Sequence, residues 1–404
     1  MAGGSRFSNE QIEKIRKTLQ GSLGDESSQV LQSLESRLSI GEGPEISLNA
    51  SDDEDESGGK KVRAPGSINV GRIIEENKVE KMLEALPQVK ENHQAVRMLV
   101  TAVLQHPESK AFHMVEALGK VKGEVELVNA LCKGIISRKG VNPLIEALRH
   151  ATASQEAMKM LAYAVAEQGT VAHMIRAIAT VHKNQELEMI WAMEIMAKGG
   201  VDQMLEAINL MDKASPGIVI LATGVVSNKE VAISQLVSAL QNCKDNPKAA
   251  SIIAVELARR ADISSLVTLL EKYVSDDSDA GEIVVCKLVE KGRPPQMVQA
   301  VRSISSNSMA GRILAAGIIQ GGQAELVERA YKTMSTSAPG AKQMLALDLI
   351  KKKGKFNALR ILGKEVLDLL KNQEEIEGFG KKAVKRMEWV LKSVDANEST
   401  AGGG

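Results

Sequence analysis

A short apolar phrase recurs through the middle of the chain about every thirty residues. It consists of two large aliphatic side chains, one variable position, and then alanine or another apolar residue. The intervals between copies range from 29 to 32 residues. A period held this closely over nine copies predicts an array of similar units rather than one compact core. The copies begin at Met82, Met114, Leu144, Met174, Met204, Leu236, Leu266, Met297 and Leu326.

A second and more apolar segment follows many of these copies, as at 95–105, 157–169 and 187–200. Its apolar side chains recur at i, i+3, i+4 and i+7, which predicts a helix, and they cover nearly the whole circumference, which predicts burial. Aromatic residues make up only 2% of the chain, so this interior must consist of aliphatic side chains. Each unit is therefore expected to be a pair of helices that stacks on its neighbours between about residues 78 and 355.

Polar turns and glycines mark the ends of the predicted helices. Segments such as 214–217 and 305–308 lie between the two helices of a pair and are rich in Ser, Asn and Pro, which cap and turn helices. Glycine follows the second helix of several pairs, and we expect it to adopt the left-handed conformation of a C-cap. These glycines are Gly140, Gly169, Gly199, Gly200, Gly292, Gly321, Gly322 and Gly354.

These two-helix units resemble the HEAT/armadillo-like superfamily of α-solenoids. The resemblance implies an all-α fold, a right-handed α-α superhelix of about nine two-helix repeats that spans residues 70–355. The period is short for HEAT or armadillo repeats and is similar to the short HEAT-like repeats of phycobilin-lyase-type proteins. The Trp, Tyr and Pro signature of tetratricopeptide repeats and the TPLH phrase of ankyrin repeats are absent from the sequence.

The segment before the array is expected to be a helical region on a flexible tether. Residues 1–39 place apolar side chains at helical spacing, and residues 40–69 are rich in Gly, Ser, Pro and acids, which predicts a disordered linker. Such a helix on a linker either binds a partner or folds back on the first repeat. The candidate partner-binding residues here are Phe7, Ile12, Ile15 and Leu19.

The segment after the array departs from the repeat. Residues 356–394 are expected to be basic capping helices, and residues 395–404 a disordered tail. The stretch 381–394 predicts a basic amphipathic helix that caps the end of the array, or else contacts an acidic partner or a membrane surface. Its candidate partner-binding residues are Lys381, Lys382, Lys385, Arg386 and Trp389.

Charge and cysteine content indicate a reduced, soluble environment. The formal net charge is zero, so there is no general attraction to nucleic acid or anionic lipid. Cys132, Cys243 and Cys286 are far apart and lie in or beside apolar runs, which is typical of reduced core thiols. We find neither a signal peptide nor an apolar run long enough to span a membrane. A cytoplasmic protein is therefore expected.

The sequence contains no arrangement of residues that is typical of catalysis. Its six histidines, His93, His106, His113, His150, His173 and His182, form no HExxH motif and no pairing with cysteine. His113 and His173 both stand immediately before the methionine that opens a repeat phrase, which favours a structural role at equivalent positions. No phosphate-binding glycine loop is present. We therefore expect no catalytic residue, no cofactor and no bound metal.

The favoured function is a non-enzymatic scaffold or adaptor that binds other proteins through the repeat surface and the tethered N-terminal helix. One alternative is a HEAT-like bilin lyase, which requires a deep pocket where a carboxylate converges with tyrosine or histidine. The other is a HEAT-like protein that binds nucleic acid, which requires a basic concave face, often with exposed aromatic residues. Against the latter, Trp191 and Tyr163 lie in apolar second helices and are expected to be buried.

Overall fold

The computed structural model describes residues 68–121, 123–181 and 183–401, with the backbone alone for 396–401. Over these residues the secondary structure is entirely helical, with 22 α-helices and three short 3₁₀ turns. The predicted all-α class is thereby confirmed. The N-terminal helical segment, most of the linker and the final residues 402–404 lie outside the described residues.

The first compact unit ends at Gln168. Within it the helices form two rows: α2 contacts α4 and α4 contacts α6, while α3 contacts α5 and α5 contacts α7. Each helix also contacts the next one along the chain. The helices are α1 (Val70–Glu75), α2 (Val79–Ala85), α3 (His93–Gln105), α4 (Ala111–Lys120), α5 (Val125–Ser137), α6 (Val141–Leu148) and α7 (Gln155–Gln168).

The second compact unit begins at Gly169 and repeats this arrangement. Its second helices contact one another in succession from α9 to α19, and each first helix contacts the second helix that follows it. The helices are α8 (Val171–Thr180), α9 (Gln185–Lys198), α10 (Val201–Leu210), α11 (Pro216–Ser227), α12 (Ile233–Asn242), α13 (Pro247–Arg260), α14 (Ile263–Lys272), α15 (Asp279–Lys291), α16 (Pro294–Ala300), α17 (Met309–Gly321), α18 (Ala324–Thr333), α19 (Pro339–Lys353), α20 (Lys355–Leu362), α21 (Glu365–Lys371) and α22 (Gln373–Ala401).

The recurring phrase supplies the inward face of the first helices. Met114, Leu144 and Met174 open three copies, and all three side chains are fully buried. The second helices are buried on nearly all sides, as their composition predicts: the buried residues of α17 run from Ala310 to Ile318 with one interruption, at Arg312. The core is therefore mainly aliphatic in each unit, with Trp191 as a fully buried aromatic residue in the second.

A methionine of the first helix packs on a glycine of the second helix in three pairs. A Cβ atom placed on Gly134 would lie 2.8 Å from the Sδ atom of Met114, and one placed on Gly224 would lie 3.0 Å from that of Met204. The same relation joins Gly317 to Met297, at 3.2 Å. In each pair the glycine follows the methionine by twenty residues. The missing side chain thus allows the two helices of a pair to approach closely.

The residue immediately before the phrase caps the first helix. His113 Nδ1 accepts a hydrogen bond from the backbone N–H of Lys110 at 3.1 Å, and His173 Nδ1 accepts one from that of Thr170 at 3.2 Å. This confirms the predicted structural role of the two histidines. Glutamine does the same where no histidine is present, since its Oε1 atom also accepts from the N-cap N–H. These glutamines are Gln203, Gln235 and Gln296.

Seven of the nine second helices in the described residues begin with an Asn or Ser side chain that accepts a backbone N–H from the first turn, as the polar turns predict; α5 and α19 do not. Ser215 and Ser308, in two of the turns named from the sequence, are among these N-caps. The full set in the described residues is Asn92, Ser154, Asn184, Ser215, Asn246, Ser278 and Ser308.

The predicted left-handed conformation of the glycine caps is wrong at most of these positions. Gly199, Gly292 and Gly322 have φ values of −94°, −84° and −90°, and each leads directly into the next helix. An extended residue is needed there because the following residue is already the N-cap of that helix. Gly354 is the exception, with a φ of 79° that lies in the left-handed region.

Basic side chains at the ends of second helices cap the preceding second helix. Arg138 donates to the carbonyl of Leu104 at 3.3 Å, and Lys291 donates to that of Ala258 at 3.0 Å. Lys352 reaches the carbonyl of Ile319 at 2.9 Å. A cation at a helix C-terminus satisfies a free carbonyl and interacts favourably with the helix dipole. Successive helix pairs within a unit are thereby joined by hydrogen bonds as well as by packing.

The C-terminal helix α22 continues to Ala401, beyond the expected start of the tail at residue 395. Residues 395–401 contain neither proline nor glycine, so nothing in the sequence stops the helix at 394.

Candidate protein-binding surface at the C-terminal helix

Helix α22 lies against three successive second helices, α15, α17 and α19. Its buried side chains are Ile376, Ala383, Val390 and Val394. The first three are spaced by seven residues and therefore share one face of the helix. Seven residues rise by about 10.5 Å, close to the 8–10 Å that separates packed helices. Each heptad of α22 therefore reaches the next second helix.

The contacts of α22 follow this order along its length. Its beginning lies over α19, where Glu377 accepts a hydrogen bond from Lys351 at 2.9 Å. Further along, the guanidinium of Arg312 on α17 lies 4.8 Å from the centre of the Phe379 ring. The C-terminal half lies over α15, where Arg386 donates a hydrogen bond to Glu282. We call these three helices the α22-binding surface.

Two charged residues of α15 are buried beneath α22. Glu282 is paired with Arg386, and Lys287 lies 3.0 Å from Asp395 of α22 and 2.7 Å from Glu290 of its own helix. Burial lowers the pKa of Lys287, but the hydrogen bonds to Glu290 and Asp395 outweigh it and hold the pKa above its usual value. Lys287 is therefore a cation whose charge is neutralised partly by α22.

Beside them on α15, Cys286 is fully buried. Burial raises the pKa of its thiol to about 12. The carboxylate of Glu282 adds to this effect, whereas the guanidinium of Arg386 acts against it. The thiol is thus protonated near neutral pH, which removes the thiolate that reacts with electrophiles.

The opposite face of α22 is basic and exposed to solvent. Lys381, Lys382 and Lys385 are exposed, as the amphipathic pattern predicts. Trp389 is 58% exposed, and the Arg386 guanidinium lies 4.4 Å from its ring centre. Arg386 differs from the other four candidates because its charge is used within the chain. The structure therefore groups three lysines and the tryptophan as the outward face of α22.

The other candidate residues, Phe7, Ile12, Ile15 and Leu19, lie outside the described residues. The structure thus neither places them nor relates them to α22.

Exposed apolar side chains accompany the basic face on the two preceding helices. Phe356 of α20 is 90% exposed, and Leu359 of the same helix and Leu367 of α21 are also exposed. Lys355, Arg360 and Lys364 of the same segment are also exposed. Leu359 thus lies on the solvent side of α20, whereas Ala358 and Leu362 of the same helix are buried.

Sequence reasoning missed the α22-binding surface, although a signal for it was present. Glu282 and Lys287 interrupt the apolar stretch of α15, and Arg312 stands at the position of α17 that corresponds to Glu282, four residues after the N-cap serine. Charges in such a helix indicate a face that is covered by a polar element rather than by the core.

The described residues contain no group of three or more His, Cys, Asp or Glu side chains that could hold a metal ion. Cys132 and Cys243 are buried, and burial raises the pKa of each thiol to about 12. The sixth histidine, His182, lies outside the described residues.

Two grooves of the described surface bear on the lyase alternative. One is lined by α1 and α3 residues including Asn69, Asn92 and Met98, and the other by α19 and α22 residues including Lys351 and Lys385. Neither is lined by aspartate, tyrosine or histidine. These grooves therefore lack the convergence of groups that the lyase would require.

The aromatic residues weighed against nucleic-acid binding lie in second helices. Trp191 is fully buried in α9, as predicted, whereas Tyr163 in α7 is half-buried. Neither therefore offers an exposed ring for stacking on a base.

Comparison with known proteins adds no relative: no protein-family model matches the chain, and no curated protein matches it significantly. Among the described residues, no helix combines the length and the apolar character needed to cross a membrane.

Proposed function

We propose that the chain is a cytoplasmic, non-enzymatic scaffold that binds other proteins through an α-solenoid of about nine two-helix repeats. Support for the solenoid comes from the sequence period and from the contacts within each unit, where first helices follow first helices and second helices follow second helices.

The observation that carries this proposal is the position of α22 across α15, α17 and α19. A row of second helices that holds an amphipathic helix crosswise, with one apolar residue per heptad and ion pairs at its edges, is a helix-binding surface. Its outward face of Lys381, Lys382, Lys385 and Trp389 then offers a second contact, which favours a partner with an acidic surface.

The proposal is tested by affinity capture from the cells that make the protein, followed by binding measurements with the purified partner. The full-length protein is compared with a triple variant, Lys381→Glu, Lys382→Glu and Lys385→Glu. A matched control makes the same lysine-to-glutamate change at three exposed positions elsewhere, Lys229, Lys248 and Lys272. We expect a partner that binds the wild type and the control but binds the triple variant at least about ten-fold more weakly.

Two outcomes would count against the scaffold. One is that no captured protein binds the purified full-length chain directly. The other is that the triple variant and its control bind every partner equally, which would remove the outward face of α22 from the proposal.

A further inference from the structure

Resting on the proposed scaffold function, we propose that the α22-binding surface is an exchange site, where an amphipathic helix of another protein replaces α22. The partner helix is expected to carry the pattern by which α22 itself is held. In this state α22 acts as an internal occupant, and its release accompanies partner binding.

The first argument is the chemistry of the covered surface. A surface meant to remain covered is normally apolar, because each buried charge costs desolvation energy. Here Glu282 and Lys287 of α15 are almost completely buried, and α22 supplies a pairing partner for each. Once α22 leaves, both charges become hydrated, so the uncovered surface stays soluble. The arrangement suits a surface that is uncovered in one state.

The second argument is how lightly α22 is held. Between Gln373 and Asp395 its buried apolar side chains are an isoleucine, two valines and an alanine, and its larger side chains Phe379, Met387 and Leu391 are only half-buried. One partner of each ion pair is about half exposed, as are Lys351 at 51% and Asp395 at 54%. Exposed ion pairs contribute little to stability because water and salt screen them. A competing helix of similar pattern is therefore able to displace α22.

The contacts define the kind of partner helix that fits. Counted from Ile376, the helix needs a small residue at +7, arginine at +10 and aliphatic residues at +14 and +18. An acidic residue at +1 meets Lys351, and another at +19 meets Lys287. The N-terminal end of the partner helix lies over α19 and its C-terminal end over α15.

A second copy of this chain is a poorer occupant. Helix α21 ends at Lys371 and α22 begins at Gln373, so a single residue joins them. Because α21 itself packs on α19, this short connection keeps α22 beside its own surface. Exchange between copies would require α21 to detach as well, a cost that a helix from another protein does not carry.

A charge exchange between surface and peptide tests the proposal on the full-length chain. The protein carries Glu282→Lys, and a labelled synthetic peptide of residues 373–395 carries Arg386→Glu. The substituted surface repels the chain's own Arg386 and attracts the substituted peptide. We expect this peptide to bind the Glu282→Lys protein at least about ten-fold more tightly than the wild type, by fluorescence anisotropy. The matched control, Glu325→Lys, changes an exposed glutamate of α18 and should bind like the wild type.

Hydrogen exchange supplies the second readout. With peptide bound to the Glu282→Lys protein, the amides of the protein's own residues 373–395 should exchange faster than in the wild type. The amides of α15 and α17 should remain protected. If the substituted peptide binds the Glu282→Lys and Glu325→Lys proteins equally, or binds neither, the exchange site is wrong. That result would leave the scaffold function, which affinity capture tests, unaffected. A concentration-dependent dimer of Glu282→Lys in light scattering would overturn it in favour of a second copy as the occupant.

Discussion

The guanidinium of Arg386 donates a hydrogen bond to the carboxylate of Glu282, which precedes it by 104 residues. No other feature of the described residues ties the C-terminal half of α22 to α15 so directly, apart from the pair of Lys287 and Asp395. The sequence pattern assigned Arg386 to an outside partner, whereas in the structure it holds α22 on α15.

Reversal of this charge should loosen α22. We expect Arg386→Glu to lower the free energy of unfolding by about 1–2 kcal/mol, because a charged hydrogen bond is lost and two carboxylates then face each other. Urea unfolding measures the loss. Arg360→Glu, on an exposed position of α20, is the control and should have little effect. Combining Arg386→Glu with Glu282→Arg should recover most of the loss, and failure to recover would assign the effect to something other than this pair.

The thiol of Cys286 should report the release of α22. In the wild type Cys286, Cys132 and Cys243 are fully buried, so all three should react slowly with a thiol reagent at pH 8. In Arg386→Glu we expect Cys286 alone to react faster, as followed by mass spectrometry of the labelled peptides. Cys132 and Cys243 serve as internal controls. Parallel acceleration at all three would indicate general unfolding instead.

The second-helix glycines on which a methionine packs should differ in how well they tolerate substitution by alanine. A Cβ at Gly317 would lie 2.5 Å from a methyl carbon of Val289, whose branched side chain has little freedom, whereas a Cβ at Gly224 would meet the flexible Met196 and Met204. We expect Gly317→Ala to destabilise by about 1–2 kcal/mol and Gly224→Ala to be nearly neutral, since alanine also favours the helix.

Gly378 provides the reference for this comparison. It lies in α22, and a Cβ there would meet no neighbouring atom within 4 Å. Gly378→Ala should therefore raise stability by up to about 1 kcal/mol in urea unfolding. If Gly317→Ala proves as stable as Gly378→Ala, the close approach of the helices is not what requires glycine.

The histidine caps should be replaceable by glutamine but not by an apolar residue. At His173 we expect leucine to cost about 1 kcal/mol, because the N–H of Thr170 loses its acceptor. Glutamine should cost much less, since Gln203 makes the same hydrogen bond in the next pair. Thermal unfolding of the two variants, compared at equal protein concentration, decides the matter. Equal losses would show that the ring itself is what the site needs.

Asp276 should make stability depend on acid pH. Its buried carboxylate accepts hydrogen bonds from Ser305, Ser306 and Ser308. Burial raises its pKa, but these hydrogen bonds outweigh it and hold the pKa below the usual 3.8. A depressed folded pKa contributes stability above the unfolded pKa, and this contribution is lost as the pH falls through the folded pKa, below about pH 4.

We therefore expect Asp276→Asn to be less stable than the wild type at pH 7 and to show a smaller loss between pH 4 and pH 2.5. Urea midpoints at each pH give the comparison. Parallel curves for the two proteins would show that this carboxylate stays protonated or unpaired in the folded state.

Local rules predicted the helices and most of their N-caps well. Pairs of helices, the burial of residues such as Met114, and caps such as Ser308 depend on nearest neighbours in sequence, which periodicity and side-chain chemistry reveal directly. The prediction of left-handed glycines was wrong because the conformation of each glycine depends on how soon the next helix begins. After Gly292, for example, only Arg293 precedes the helix that begins at Pro294.

The placement of α22 could not be predicted from the sequence. A terminal helix has no neighbouring copy to serve as a template, and its location is determined by pairs such as Lys287 and Asp395, which are 108 residues apart. Amphipathicity alone showed that one face would be covered, and its lysines were correctly assigned to the outer face. It did not show that α15 would provide the cover.

The C-terminal caps of the second helices run in one direction along the chain, from a later helix pair to an earlier one. Arg138, Lys291 and Lys352 each belong to a later helix pair than the carbonyl to which they donate. First helices, by contrast, take their N-terminal cap from three residues away, as at His113. Loss of a pair from the C-terminal side of a unit therefore removes these C-terminal caps from its predecessor. Loss from the N-terminal side leaves N-caps such as Ser308 intact, although α19 would lose the bond from Gly340 to Asn307. Within each unit, fraying should spread more readily toward the N-terminus than away from it.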